Sequence, residues 1–332
     1  MREGGLMVWL IFAITAALIV YAATQLAKYG DVIAIRTRLG GMFIGLLLLA
    51  GATSLPEVLT SISALSQGAP NLAAGNLLGS NTFNMFLLAI IDLASRNQRL
   101  LRKAALKHAL TGSLTVFLIG LVIFFMLADI EWKVGWIGVD SLVIIAVYVL
   151  AIWLIQGNAG ASSPHSEPAE IPKDTPSLGL GMLGFGLAAL ALIFITPIMV
   201  RNANQIAEIS GLGTTFIGTT LVALVTSLPE LVTTLAAIKI GAADMAIGNL
   251  FGSNLFNMFA IGLTDIFYSQ GRFLAAIDPS FLLVGILGLL MTGLGLIGNL
   301  AKLEKRIWVI ELDALALILL YFAGLYLLYV RS

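Results

Sequence analysis

Long unbroken apolar runs decide what this chain can fold into. Ten of them, near 6–27, 42–65, 70–93, 109–128, 138–155, 178–200, 212–238, 243–267, 279–298 and 311–330, fit a membrane crossing. A helix needs roughly 17–25 predominantly apolar residues to span a bilayer, whereas transmembrane strands would show segments of about ten residues alternating apolar and polar. The expectation is an all-α membrane protein with ten transmembrane helices. Composition agrees, with 59% of the 332 residues hydrophobic and 11% charged and a mean hydropathy of +1.00, a surface no water-soluble domain of this size carries. The N-terminal apolar segment is too long for the core of a secretory signal and reads as a retained first helix.

Charge sets the expected orientation. Of the 18 Lys and Arg, 13 fall in the turnarounds after spans 1, 3, 5, 7 and 9, leaving Arg2, Lys133, Arg201, Arg272 and Arg331 opposite. Positive loops stay in the cytoplasm, so both termini are expected outside. Trp9, Trp132, Trp136, Trp153 and Trp308 lie near span ends, where interfacial rings collect. With no cysteine there is no disulfide and no thiolate metal site. His108 and His165, at a helix end and in a polar segment, are not placed for chemistry.

That polar segment, residues 156–177, holds four of the nine prolines and reads as a flexible cytoplasmic linker. It separates two halves, 1–155 and 178–332, that align on a constant shift of 173 residues. GATSLPE at 51–57 returns within VTSLPE at 225–230, and GNLLGSNTFNMF at 75–86 returns as GNLFGSNLFNMF at 248–259. The duplicated regions are 50–86 and 223–259. Five spans per half is an odd number, so the second half must enter the membrane from the opposite face, making two inverted five-helix repeats. Such transporters bind substrate near the midplane, where interrupted helices meet.

The duplicated motif has a physical reading. Pro56 cannot donate to the carbonyl of Ala52, nor Pro229 to that of Val225, so backbone oxygens come free inside an apolar helix. Such oxygens persist at membrane depth only when buried in protein or lining a hydrated cavity. Glu57 and Glu230 add carboxylates, and intramembrane acids mark ion or proton paths. Thr53 and Ser54 share a helical face with Glu57, as Thr226 and Ser227 do with Glu230. The next helix carries Asn76, Ser80 and Asn84 at i, i+4 and i+8, matched by Asn249, Ser253 and Asn257, a polar stripe suited to lining a site. Gly75 and Gly79, with Gly248 and Gly252, are small-xxx-small pairs suited to close packing. Two glutamates and two freed carbonyls give about six oxygens, within the 6–8 that Ca2+ takes. An all-oxygen set favours hard cations over zinc or copper. Two acids balance one Ca2+ or two monovalent ions, and a bare pair resists closure into a dry site, so ions competing for the same carboxylates would exchange.

Together these motifs resemble the two α-repeats of the cation/Ca2+ exchanger superfamily, nearest its prokaryotic Na+/Ca2+ exchanger branch. The resemblance implies that Glu57 and Glu230 are the central ligands for Ca2+ and Na+, with backbone oxygens of Thr53 and Thr226 completing the Ca2+ site. It further implies Na+ ligands from the carbonyls of Ala50 and Ala223 and the side chains of Ser54, Ser80, Ser227 and Ser253, with Asn84 and Asn257 beside the centre. Spans 1 and 6 would be long tilted helices that slide to switch access. Implied partners are Ca2+, Na+ and the lipid bilayer, with no cofactor, no nucleic acid and a monomer as the working unit, in a prokaryotic cytoplasmic membrane. Relatives coupled to sodium or potassium often carry aspartate at one of the positions held here by Asn84 and Asn257; two asparagines argue against potassium and leave the sodium stoichiometry open. The proton-coupled branch usually shows a different motif around its acids, which leaves H+ coupling, with the glutamates carrying protons, as the alternative. The short linker leaves no room for the large regulatory domains of animal relatives.

Two other classes fit less well. A channel uses oxygen-lined sites too, but more often builds them from rings of subunits than from inverted repeats. An enzyme would need a nucleophile with its base or a metal triad; there is no HExxH and no cysteine.

Overall fold

The computed structural model describes residues 2–37, 50–94, 105–161, 175–239, 242–301, 306–307 and 310–331. Among them, nine helices are long and apolar enough to cross a membrane. The expected second span, 42–65, begins outside the described residues and is seen from residue 50 onward; residues 162–174 of the expected linker also lie outside them.

The helices are α1 (Arg2–Thr37), α2 (Leu55–Ser66), α3 (Pro70–Ala94), α4 (Ala105–Ala128) and α5 (Val139–Ala161), then α6 (Leu178–Ser210), α7 (Gly213–Ile217), α8 (Ala223–Thr226), α9 (Leu228–Lys239), α10 (Ala243–Phe267), α11 (Phe273–Ala276), α12 (Phe281–Ala301) and α13 (Leu312–Arg331). A π-helical segment, Gly218–Val222, joins α7 to α8. Two antiparallel strand pairs, β1 (Lys133–Val134) with β2 (Ile137–Gly138) and β3 (Arg306–Ile307) with β4 (Ile310–Glu311), precede α5 and α13. The apolar runs gave no hint of these hairpins, because they lie in the short polar connectors between spans. They occupy positions 173 residues apart, so the duplication reaches into the connectors.

Packing follows the same shift. The α2–α3 contact has its counterpart in α9–α10, α4–α10 in α12–α3, α5–α10 in α13–α3, and α6–α2 in α1–α9. Three pairs of equivalent helices meet each other directly: α1 with α6, α3 with α10, and α4 with α12. At the centre run α3 and α10, with 89% and 67% of their most apolar stretches buried. Outer helices turn Leu10, Phe117, Phe124, Trp153, Phe194 and Phe322 outward, an apolar belt far beyond what a soluble monomer exposes.

In lipid, apolar surface is no driving force between helices, so close approach through small residues matters more. A Cβ at Gly184 of α6 would stand 2.5 Å from the ring of Tyr29, and one at Gly181 2.9 Å from Val32. This ordering makes α1 and α6 antiparallel, and Arg36 at the end of α1 donates to the carbonyls of Thr175 and Pro176, just before α6 begins. At 36 and 33 residues these two helices are about 50 Å long, well over the hydrocarbon thickness, so they must tilt or project. Gly75 and Gly79 of α3 serve the same purpose inside the core: added Cβ atoms would come within 2.7 Å of Thr219 N and 2.5 Å of Thr219 O, in the π-helical segment.

Candidate functional site

Both proline motifs break their helices in the same way. Ser54 (φ −89°, ψ 3°) and Ser227 (φ −89°, ψ 0°) leave helical geometry at matching positions, in the sparsely populated bridge region. The helix reaches each serine through a bond to the alanine four residues back, Ser54 N to Ala50 O at 2.9 Å and Ser227 N to Ala223 O at 3.0 Å. It restarts beyond the serine with Val58 N donating to Ser54 O and Leu231 N to Ser227 O, both at 3.3 Å. The chemistry of the break is local, because proline has no N–H for the carbonyl four residues earlier. Glu57 and Glu230 thereby lie in the first turn of the restarted helices α2 and α9, where the positive end of the helix dipole favours an anion.

The two halves then interlock. Ser54 Oγ donates to Glu230 Oε1 at 3.1 Å, and Ser227 Oγ donates to Glu57 Oε1 at 3.2 Å. Each glutamate is thus held by the serine of the other motif, and both are fully buried. Ser253 Oγ also donates to Glu230 Oε1, at 3.4 Å, and lies 3.5 Å from Thr53 Oγ1; Ser80 Oγ lies 3.5 Å from Thr226 Oγ1. Thr53 and Thr226 also turn their hydroxyls back to the carbonyls of Ala50 (3.1 Å) and Ala223 (3.3 Å). The Ala50 carbonyl thus accepts from Ser54 N and the Thr53 hydroxyl, whereas the single Thr226 hydrogen has a nearer acceptor in Asn76 Oδ1, at 2.8 Å.

The stripe on the central helices divides by role. Asn76 Nδ2 donates to Glu57 O at 2.8 Å and Ser61 Oγ at 2.9 Å, while its Oδ1 accepts from Thr226 Oγ1 at 2.8 Å. It is a strut across the broken helix, occupying a backbone oxygen instead of offering one. Asn249 donates to the hydroxyls of Thr233 (3.0 Å) and Thr234 (3.3 Å). Further along, Asn84 and Asn257 are bound by Asn254 and Asn81, at 3.0 Å and 3.1 Å. Asn81 and Asn254 were not foreseen as part of the site, since they fall off the i, i+4 stripe; their repetition within GSN in both halves was the available signal.

Six buried oxygens of this region make no hydrogen bond among the described residues: Thr60 Oγ1, Asn249 Oδ1, and a set of four, Glu57 Oε2, Glu230 Oε2, Asn84 Oδ1 and Asn257 Oδ1, in which each has its counterpart in the other half. The four form two pairs related by the 173-residue shift. Buried acceptors in folded proteins nearly always have partners, so this related set of four is placed to accept from water, a proton or a cation. Among the described residues no three His, Asp or Glu side chains gather. The centre therefore offers two carboxylates surrounded by hydroxyls and amides, a modest charge count, and ion affinity is tuned by that count. Of the residues expected at the site, Glu57, Glu230, Thr53, Thr226, Ser54, Ser227, Ser80, Ser253, Ala50 and Ala223 share these hydrogen bonds, while Asn84 and Asn257 bond to Asn254 and Asn81.

Comparison with known proteins adds independent findings. Residues 7–156 and 180–330 match the family described as "Sodium/calcium exchanger protein". The protein named "Putative antiporter CaxA" of Alkalimonas amylolytica is 30% identical over 300 residues, covering 87% of this chain and 90% of that protein. The sodium/calcium exchanger MaX1 of Methanosarcina acetivorans is 27% identical over 299 residues, covering 78% of this chain and 83% of its own length. Among solved structures, that of the H+/Ca2+ exchanger CAX superposes with a TM-score of 0.72 at 15% identity, covering 98% of this chain and 85% of that one. At that identity the match speaks for the fold alone.

Proposed function

The chain belongs to the sodium/calcium exchanger protein family, and from that membership we propose that it is an integral-membrane antiporter that moves Ca2+ in exchange for Na+. Transport runs by alternating access to one site near the midplane, between two inverted five-helix repeats, in a prokaryotic cytoplasmic membrane with both termini outside. The observation that carries this reading is the reciprocal pair Ser54–Glu230 and Ser227–Glu57. It joins the two motifs into one carboxylate centre. The antiparallel course of α1 and α6 supports inversion, since equivalent helices of inverted repeats run oppositely.

The mechanism rests on charge. Glu57 and Glu230 neutralise one Ca2+ or two Na+, assisted by the oxygens of Thr53, Thr226, Ser54, Ser227, Ser80, Ser253, Asn84, Asn257, Ala50 and Ala223. With the cations gone, two buried carboxylates face each other across a closed pocket, and the desolvation penalty opposes the switch of access. Loaded either way, the pocket is neutral and can switch. Calcium and sodium therefore take turns.

A second reading, H+/Ca2+ exchange with the same glutamates carrying protons, is kept because the chain shares its fold with the H+/Ca2+ exchanger CAX. Asparagine at both 84 and 257 argues against potassium and does not separate sodium from protons, since in either reading the exchanged charge sits on Glu57 and Glu230. The deciding experiment is uptake of radiolabelled Ca2+ into liposomes containing the purified protein. An outward Na+ gradient at uniform pH and without K+ is expected to drive uptake. Uptake driven only by a pH gradient would replace sodium by protons.

A further inference from the structure

Where α3 and α10 cross, four asparagines form a closed set. Asn81 Nδ2 donates to the backbone carbonyl of Asn254 at 3.5 Å, and Asn254 Nδ2 donates to the backbone carbonyl of Asn81 at 3.2 Å. Asn257 Nδ2 donates to Asn81 Oδ1 at 3.1 Å, and Asn84 Nδ2 donates to Asn254 Oδ1 at 3.0 Å. All four side chains are buried.

An amide's oxygen and nitrogen are told apart by their partners, and here the partners leave no freedom. A backbone carbonyl can only accept, so the atom Asn81 turns to Asn254 O must be its nitrogen. Its oxygen is then the atom that meets Asn257, which must answer with nitrogen. The remaining atom of Asn257 is Oδ1, one of the buried oxygens without a partner. The same logic, run from Asn254, leaves Oδ1 of Asn84 as another. Flipping the Asn81 or Asn254 amide would set oxygen against the backbone carbonyl and nitrogen against nitrogen at the partner amide, a costly arrangement.

We propose that Asn81 and Asn254 are positioning residues: anchored on each other's backbone, they orient the amides of Asn257 and Asn84 so that both offer oxygen to the transported cation. The relay is crossed. Asn81, in the first half, acts through Asn257 in the second, and Asn254 acts through Asn84. The anchors are main-chain atoms, so a side-chain replacement at 81 leaves the anchor of Asn254 intact, and the two relays are separable. The identity of the ligand rests on the exchanger reading above; the orientation rests on the four hydrogen bonds.

Double-mutant cycles on the full-length protein test the relay. Ca2+ affinity is read by calorimetric titration in detergent, and the KM for uptake in liposomes. Asn81→Leu and Asn257→Leu are each expected to weaken Ca2+ binding about 10-fold, the order of one misplaced buried polar ligand. The double variant Asn81→Leu/Asn257→Leu is expected to be no weaker than Asn257→Leu alone, because the relay is already lost. Asn81→Leu/Asn84→Leu should instead multiply the two single effects. A general packing role for Asn81 would not distinguish the two crosses. A parallel set with serine at the same positions carries the same expectation and reads the cycle if a leucine variant does not fold. Wild-type affinity in a folded Asn81 variant, or multiplication in the 81/257 cross, overturns the proposal while leaving the exchanger reading standing. A wild-type protein that neither binds nor moves Ca2+ overturns both.

Discussion

The two proline motifs share sequence and backbone geometry yet are closed to different degrees. In the first half, α2 buries Pro56, Glu57, Val58, Thr60, Ser61, Ser63, Ala64 and Leu65, and Gln67 just beyond it donates to Pro197 O of α6 at 3.2 Å. Asn76 uses both ends of its amide there, holding Glu57 O, Ser61 and the Thr226 hydroxyl. In the second half α9 buries only Pro229, Glu230, Thr234 and Ala237. Asn249, the counterpart of Asn76, reaches the hydroxyls of Thr233 and Thr234, and its Oδ1 makes no hydrogen bond among the described residues. Equal ligands thus coexist with unequal bracing. That combination suits the alternating access proposed above, in which one side is shut while the other yields.

The site itself should break the comparison most sharply, by being indifferent to it. Glu57→Gln and Glu230→Gln each remove one of the two charges that balance a cation. Each is expected to lower Na+-driven Ca2+ uptake by at least about 100-fold, taking loss of one close charge partner as about 3 kcal/mol or more, with the protein still folded by size-exclusion chromatography. Substantial flux in either variant would show that the carboxylates do not act as a pair.

The next effect should separate the halves. A methyl at Gly79 would meet backbone at 2.5 Å (Thr219 O), whereas its equivalent at Gly252 would meet the Ala50 side chain at 3.1 Å. Backbone cannot step aside, so Gly79→Ala is expected to destabilise by the upper part of the roughly 1–3 kcal/mol range for overpacking, and Gly252→Ala by the lower part. Thermal unfolding in detergent measures both, and equal shifts would deny that the first half is the more tightly seated.

The smallest effect reads the bracing directly. Asn76→Ala gives up three hydrogen bonds and Asn249→Ala two, so the first should lower stability by about 1 kcal/mol more than the second. A reversed order would mean that the loosely held amide is the one that matters to the resting protein.

Much of this architecture is written in local pattern. Apolar runs longer than a bilayer is thick leave helices as the solution, since backbone polar groups cannot go unpaired in lipid. The break at Ser54 and Ser227 follows from Pro56 and Pro229, whose missing N–H acts within one turn of the helix. Duplication at a constant shift carries pairwise packing with it, because equal sequences present equal faces. The two glutamates stand out because a carboxylate in an apolar helix is too costly to be idle.

Other features depend on contacts between distant segments. The π-helical segment at Gly218–Val222 lies where Gly75 and Gly79 let α3 come against it, with Thr219 and Thr220 hydroxyls bonded back to the carbonyls of Thr215 and Phe216. Nothing in GTTLV alone asks for it. The crossed serine–glutamate pairs, the asparagine set at the crossing of α3 and α10, and the unequal closure of two like motifs join residues more than 100 positions apart. Sequence periodicity reports which residues share a face, but which face meets which is settled only when hydrogen bonds buried away from water must all find partners at once.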